Sequence, residues 1–397
     1  MRSEKLIDAI GEVKDSLIDD ANTKAAGKKN AWIKWAALAA AACICVIVGV
    51  LLIPDSKPEQ TSVGGVMRTY RNVTVTGAEE AIEWPWEYKT VFERFPKLVF
   101  DGKEYTTKTF GMSLSDAWLG EKLGVGDGVG YDIYSEQEHH QNFDVCRISG
   151  IDAGLMIAAE MEGQFYTFKL EKYDPPATLG EVLDGYSLPQ TLALRRFSVY
   201  EDGKEPGYYA LTDDGSIWQT LAECRDAQFV EDDAGSFIGK DRISFTATSE
   251  ALGVYKRVFY ISTDGYLSTN VFDWAYTFYI GEKAASEILS YAKKNAQKVE
   301  QEPYLYSLAG TLTEIGDGYI LVDDSLLCAD EKGGMVFKVL TTDLRISRCI
   351  DYQKIGVGSV VVVSFTEPVN ASDGYVVAGA VSLVKGSLND GAVIVAE

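Results

Sequence analysis

Histidine is almost missing from this chain: His139 and His140 stand side by side in EQEHHQN, and there is no other. With Glu136 and Glu138 they offer weak metal ligands, because neighbours in a strand point to opposite faces. The plainer reading is a solvated loop. No GxSxG, HExxH or penicillin-binding set appears. Ser382-Leu383-Val384-Lys385 fits SxxK by letters only, since it falls in a strand without partner motifs. The chain is therefore expected not to be an enzyme and to need no cofactor or metal. A cryptic carboxylate pair is the one enzymatic alternative.

Cysteine is also thin. Of six, Cys43 and Cys45 lie in an apolar run, leaving Cys146, Cys224, Cys328 and Cys349 scattered over the rest. That is no disulfide framework. A Cys328–Cys349 bridge and two separate buried thiols are equally compatible with the spacing. Positive charge is short as well: 37 Lys and Arg face 59 Asp and Glu, for a net charge of -22. Residues 1–34 hold seven basic and six acidic residues, so the remainder carries about -23. Such a field repels nucleic acid and anionic lipid, which argues against both as partners. The Gly-rich stretch GVGDGVG (124–130) follows an expected helix, not a strand. It is thus read as a loop and not as a phosphate cradle. Acidic turns at Glu201-Asp202-Gly203, Asp213-Asp214-Gly215 and Asp232-Asp233 miss the calcium-loop spacing; Asp213 is expected to cap the next helix.

Long apolar runs are missing too, except one. Trp35 to Ile53, WAALAAAACICVIVGVLLI, holds no charge and no Pro, and Lys34 and Pro54 bracket it. Nineteen residues make a helix of roughly 28 Å, enough to cross a hydrocarbon core. A cleaved signal peptide fits poorly, because the preceding region exceeds thirty residues and no small-x-small site follows Ile53. Lys24, Lys28, Lys29 and Lys34 precede the run, and Lys57 is the nearest cation after it. The positive-inside rule then puts residues 1–34 in the cytoplasm and the bulk outside, in a single-pass protein of the cell membrane.

The segment before the run is striped. Leu6, Ile10, Val13 and Leu17 step by 4, 3 and 4, one face of a helix that Ser3 can cap. Asp8, Glu12, Asp15 and Asp19 line the opposite face, where a lipid-surface helix would carry Lys and Arg. So short a helix is marginal in water, and its stripe calls for a protein partner. A frayed helix without a dedicated partner is the alternative. The run EKLIDAIGEVKDSLIDDA, a Lys-rich link and WIKWAALAAAAC resemble the start of anti-sigma-factor-like single-pass membrane proteins of anaerobic Firmicutes. The resemblance covers about the first 55 residues. It implies a cytoplasmic partner, with a sigma factor as the candidate, held by Leu6, Ile10, Val13 and Leu17. No His or Cys precedes the run, so the zinc-containing class of that family is not matched.

Residues 54–95 read as a polar tether followed by an aromatic segment, Trp84, Trp86, Tyr88, Phe92 and Phe95, expected to pack on the next core. Sugar stacking or contact with the outer leaflet is its functional alternative. Residues 96–190 and 191–300 look like two copies of one α+β layout. The first has one strand near 97–110, a helix near 114–123, three strands and a helix at 178–185. The second has a strand near 208–211, a helix at 215–224, three strands and a helix at 282–298. Asp264-Gly265 and Glu162-Gly163 mark hairpins at matching places. Residues 303–386 carry five strands in a small all-β unit that looks like an OB-type barrel, with 387–397 as a tail. Its six basic and ten acidic residues disfavour nucleic acid. The expected fold is thus a single transmembrane helix, an α+β ectodomain of two similar units, and an OB-like barrel. The expected function is an extracytoplasmic sensor or regulator. The alternative is a cell-surface binding or structural envelope protein with an envelope ligand or protein partner outside.

Overall fold

Alternating polar and apolar residues, the period of a strand, fill residues 97–170, and in the computed structural model they close on themselves. The structure describes residues 66–70, 83–108, 113–171, 175–201, 204–231, 241–272, 275–301, 306–328, 334–341 and 346–365, and three late strands within 376–396. After β1 (Val66–Thr69), the first sheet comprises β2 (Lys97–Phe100), β3 (Lys103–Thr107), β4 (Ser113–Leu114), β5 (Leu119–Asp132), β6 (Gln137–Ile148), β7 (Met156–Met161) and β8 (Gln164–Leu170). Their order is β3-β2-β5-β6-β7-β8-β4, and β3 also pairs with β8, through Tyr105 opposite Leu170 and Thr107 opposite Phe168. That pairing closes six antiparallel strands into a barrel and removes the free edges that an open sheet would expose. Leu98, Phe143, Val145, Ile157, Ala159, Met161 and Phe168 fill the interior. The short helix Val91–Arg94 plugs one end with Val91, Phe92 and, just beyond it, Phe95. Glu93 ties the start of that helix by accepting from the Thr90 amide at 3.3 Å and the Thr90 hydroxyl at 2.9 Å.

The second sheet is open. It consists of β9 (Ala193–Tyr200), β10 (Gly207–Ala210), β11 (Arg242–Ser249), β12 (Val254–Ser262), β13 (Tyr266–Thr269), β14 (Tyr276–Tyr279) and β15 (Gln297–Lys298), in the order β14-β13-β12-β11-β9-β10-β15. Helices Gly215–Glu223 and Glu282–Asn295 bury Ile217, Trp218, Leu221, Ala285, Ile288 and Ala292 in its core. The same core takes Met156 and Ala158 from the outer side of β7, while Ile157 and Ala159 face into the barrel. Barrel and sheet therefore share one strand as a common wall. This explains why β7 starts with the unbroken apolar run Met156–Ala159 instead of alternating.

The third sheet contains β16 (Tyr306–Gly316), β17 (Tyr319–Asp323), β18 (Val336–Leu340), β19 (Val360–Phe365), β20 (Val376–Val377) and β21 (Ala380–Lys385), in the order β20-β18-β17-β16-β19-β21. Helix Ile346–Gln353 lies between β18 and β19 in the chain. The two outermost strands are consecutive in sequence, and β18–β20 is a parallel pair among antiparallel ones, so the sheet is barrel-like. β22 (Val393–Ala396) pairs antiparallel with β1. The residue after β1 is pulled into this module. Tyr70 is buried and its hydroxyl donates to Asp324 Oδ2 at 3.2 Å. Trp84 and Tyr88 pack on the same core, whereas Trp86, Val91, Phe92 and Phe95 pack on the first barrel. The aromatic segment is thus divided between two cores within five residues.

These observations overturn the α+β expectation: the described residues are mostly β, and the two presumed copies differ in kind. The first is a closed barrel without a long helix, the second an open sheet with helices on it. Where a helix was expected near 114–123, a 3-10 turn at Asp116–Trp118 leads straight into β5. The expected single strand 97–110 is broken by a hairpin at Asp101-Gly102, both with positive φ (49° and 70°). The GVGDGVG stretch is not a loop but the middle of β5. No described helix is long and apolar enough to cross a membrane. Trp35–Ile53 and the stripe of Leu6, Ile10, Val13 and Leu17 lie outside the described residues.

Candidate functional site

The two ends of the first barrel differ because the chain approaches only one of them. The segment 84–95 covers one end, where Gly130 leaves room for the Arg94 carbonyl and the Trp86 ring. A side chain there would collide with backbone, so glycine is required by close approach. His139, opposite Gly130 across β5–β6, stacks on Trp86 with centroids 4.4 Å apart and planes at 21°. His140 points the other way. Its Nδ1 lies 2.9 Å from Asp127 Oδ2 and its Nε2 2.9 Å from Glu138 Oε1. Hydrogen bonds to Asp127 and then Glu138 raise its pKa above the ordinary histidine value. The adjacent histidines thus do separate things on opposite faces of a strand. Among the described residues, no three His, Cys, Asp or Glu side chains gather as a metal-binding group.

The other end is open. There β2 turns into β3 at Asp101-Gly102, and a groove of about 650 Å³ is lined by Phe100, Asp101, Lys103, Tyr105, Leu123, Val125, Ala153 and Gly154. Volumes of this order suit small-molecule sites, and barrel mouths are common places for them. Phe100, Leu123, Val125 and Ala153 supply apolar wall. Tyr105 is 2% exposed, and its hydroxyl donates to the Ala153 carbonyl at 3.0 Å. Burial, followed by the nearby Asp101 and Asp152 carboxylates, pushes its pKa up, so the phenol stays protonated. The Asp152 carboxylate accepts from the Gly154 amide at 2.7 Å and fixes the turn that forms the opposite rim. The groove thus combines one ammonium, the Asp101 carboxylate, a second carboxylate from Asp152 at the rim, a neutral phenol and apolar wall. It is equipped to bind and orient, and it presents no activated nucleophile.

One carboxylate pair lies elsewhere on the barrel. Lys97 Nζ stands 3.3 Å from both Glu104 Oε2 and Glu171 Oε2. Burial raises the Glu171 pKa, and interaction with Glu171 and then Lys97 lowers that of Glu104. Burial opposes the charge on Lys97, but Glu171 and then Glu104 raise its pKa overall. Neither glutamate lines the groove. The Asp213 carboxylate accepts from the Gly215 amide at 3.0 Å, but the N-cap position is Asp214. Asp214 points inward instead, accepting from the Leu194 amide at 2.7 Å and the Trp218 indole at 3.2 Å. Cys328 and Cys349 are thiols, not a bridge.

None of the groove residues is among the sequence-derived candidates. The usable signal is Asp101-Gly102, an Asp-Gly turn dipeptide between LVF and KEYTT, which marks a hairpin. Nothing local marks Leu123, Val125 and Ala153 as its neighbours, since the barrel closure brings them there. Comparison with protein-family models, with curated proteins and with solved structures finds no match.

Proposed function

We propose that the chain is a membrane-anchored, non-enzymatic regulator of anti-sigma-factor-like design, with residues 1–34 in the cytoplasm and the β modules outside. One observation carries this reading: Trp35–Ile53 is uncharged and separates a Lys-bearing segment of about +1 from a remainder of about -23. The stripe Leu6, Ile10, Val13 and Leu17 is the partner surface, with a sigma factor as its candidate. Burial of each residue contributes on the order of 1.5–3 kcal/mol. The open barrel end is the sensing site, since it offers binding groups on a rigid scaffold.

The third sheet we read as an OB-type barrel. Supporting this are the β16-β17-β18 meander, the helix before β19, the β16–β19 pairing and the parallel β18–β20 closure. Its excess of acid argues against a nucleic-acid role.

The test is co-purification of the full-length chain from its own membranes. The native chain is expected to retain a cytoplasmic protein that Ile10→Asp and Val13→Asp both release. Retention by the variants, or no bound protein on the native chain, refutes the reading. The second reading, a surface-binding or structural envelope protein, is favoured by the groove and needs no cytoplasmic partner. Deleting residues 2–30 separates the two: loss of phenotype supports signalling, and retention supports the surface role.

A further inference from the structure

The cations of the first barrel are almost all satisfied within the molecule. Arg94 pairs with Glu162, Lys122 with Asp144, Arg147 with Glu121, His140 with Asp127 and Glu138, and Lys97 with Glu104 and Glu171. Lys108 and Lys169 reach the carbonyls of Val271 and Phe272. Among the described residues of the barrel, Lys103 is the cation left without an ion pair or hydrogen bond, and the Asp101 carboxylate is likewise unmet. Both stand on the hairpin that rims the groove. Neither meets the other within ion-pair distance, though only Gly102 separates them.

We propose that this groove binds a small zwitterion of the amino-acid class, its ammonium toward Asp101 and its carboxylate toward Lys103. The apolar side chain lies against Phe100, Leu123 and Val125. The hairpin holds opposite charges apart on a two-residue turn, so a ligand with one charge leaves the other rim group unmet. A ligand carrying both charges satisfies each. A neutral apolar ligand matches the wall and neither charge. Tyr105, neutral and fastened to Ala153, closes the floor without adding charge. A volume of about 650 Å³ accommodates a free amino acid or a dipeptide. These two sources share the chemistry and are separated by the experiment.

The site includes none of residues 1–34, so this proposal and the signalling reading can fail independently. The full-length chain in detergent micelles is titrated calorimetrically with phenylalanine and with alanyl-phenylalanine, each also N-acetylated or C-amidated. Blocking either end is expected to weaken binding at least about tenfold. Lys103→Ala is expected to abolish discrimination between free and amidated carboxyl ends. Asp101→Asn is expected to abolish discrimination between free and acetylated amino ends. Both residues are exposed, so the variants fold, and unchanged thermal melting verifies it. Binding of phenylalanine alone identifies free amino acids as the ligand; binding of the dipeptide alone identifies peptide ends. Absence of binding by both, equal affinity for blocked forms, or unaltered discrimination in the two variants overturns the proposal.

Discussion

Gly126, Gly128 and Gly130 recur every second residue of β5 and face the barrel interior. A methyl group on Gly126 would approach Leu98 and Val145 at 3.0 Å, one on Gly128 would overlap the Phe143 ring, and one on Gly130 the Arg94 carbonyl. Small barrels fill their interiors with side chains, and here the large ones of β2 and β6 use the space that β5 yields. Because the obstacle at Gly130 is backbone, Gly130→Ala is expected to destabilise by about 3 kcal/mol, seen as a lower urea midpoint. The same pattern shows why the strand was illegible. Glycine breaks local structure, and its spacing of two has meaning only once Leu98 and Phe143 are known to lie opposite. His140 provides a second test at this scale. Its pKa is raised in the folded chain, so the stabilisation from Asp127 and Glu138 is present below pH 6.5 and is lost as pH rises through the raised value. NMR titration of its ring is expected to give a midpoint above 6.5 that falls in Asp127→Asn. The two carboxylates are exposed, so added salt is expected to shrink the shift.

Single elements carry more than one contact surface, and their sequences record only the sum. β7 is buried on both sides as the wall between barrel and second sheet, so MIAA reads as a short apolar run whose two partners cannot be told apart. The hairpins were more legible. Asp264-Gly265 and Glu162-Gly163 do link β12 to β13 and β7 to β8, with positive φ at Glu162, Gly163 and Gly265. Asp324 shows what local reading could not find. It is fully buried, with Oδ2 accepting from Tyr70 and Oδ1 from the Met335 amide at 2.6 Å. Asp324, 254 positions from Tyr70, thereby ties the residue after β1 to the start of β18. Asp324→Ala leaves buried donors unmet and is expected to cost about 3 kcal/mol, while Tyr70→Phe removes one hydrogen bond and costs about 1 kcal/mol. Urea unfolding followed by tryptophan fluorescence checks both. Equal effects of the two substitutions would refute the shared role of Asp324.

At the scale of the whole molecule, each β module has its own core, the first two meet at β7 as a common wall, and the segment 84–95 contributes to the first and the third. The aromatic segment was expected to pack on the core that follows it; Phe92 and Phe95 do so, whereas Trp84 is buried in the core of the third module. That it serves two cores follows from the position of the modules and not from its composition. The charge asymmetry about Trp35–Ile53, the scarcity of histidine and the strand periods were determined by sequence alone, because they depend on composition and on neighbours a few residues apart. The α+β expectation failed because helix formers near 114–123 are outweighed by cross-strand pairing that local propensity does not see. Barrel closure through β3 and β8, the glycine face of β5 and the meeting of Phe100, Lys103, Leu123 and Ala153 were decided only by tertiary structure. Each joins residues tens of positions apart, and the hydrogen bonds and excluded volume that select them exist only once the chain has closed.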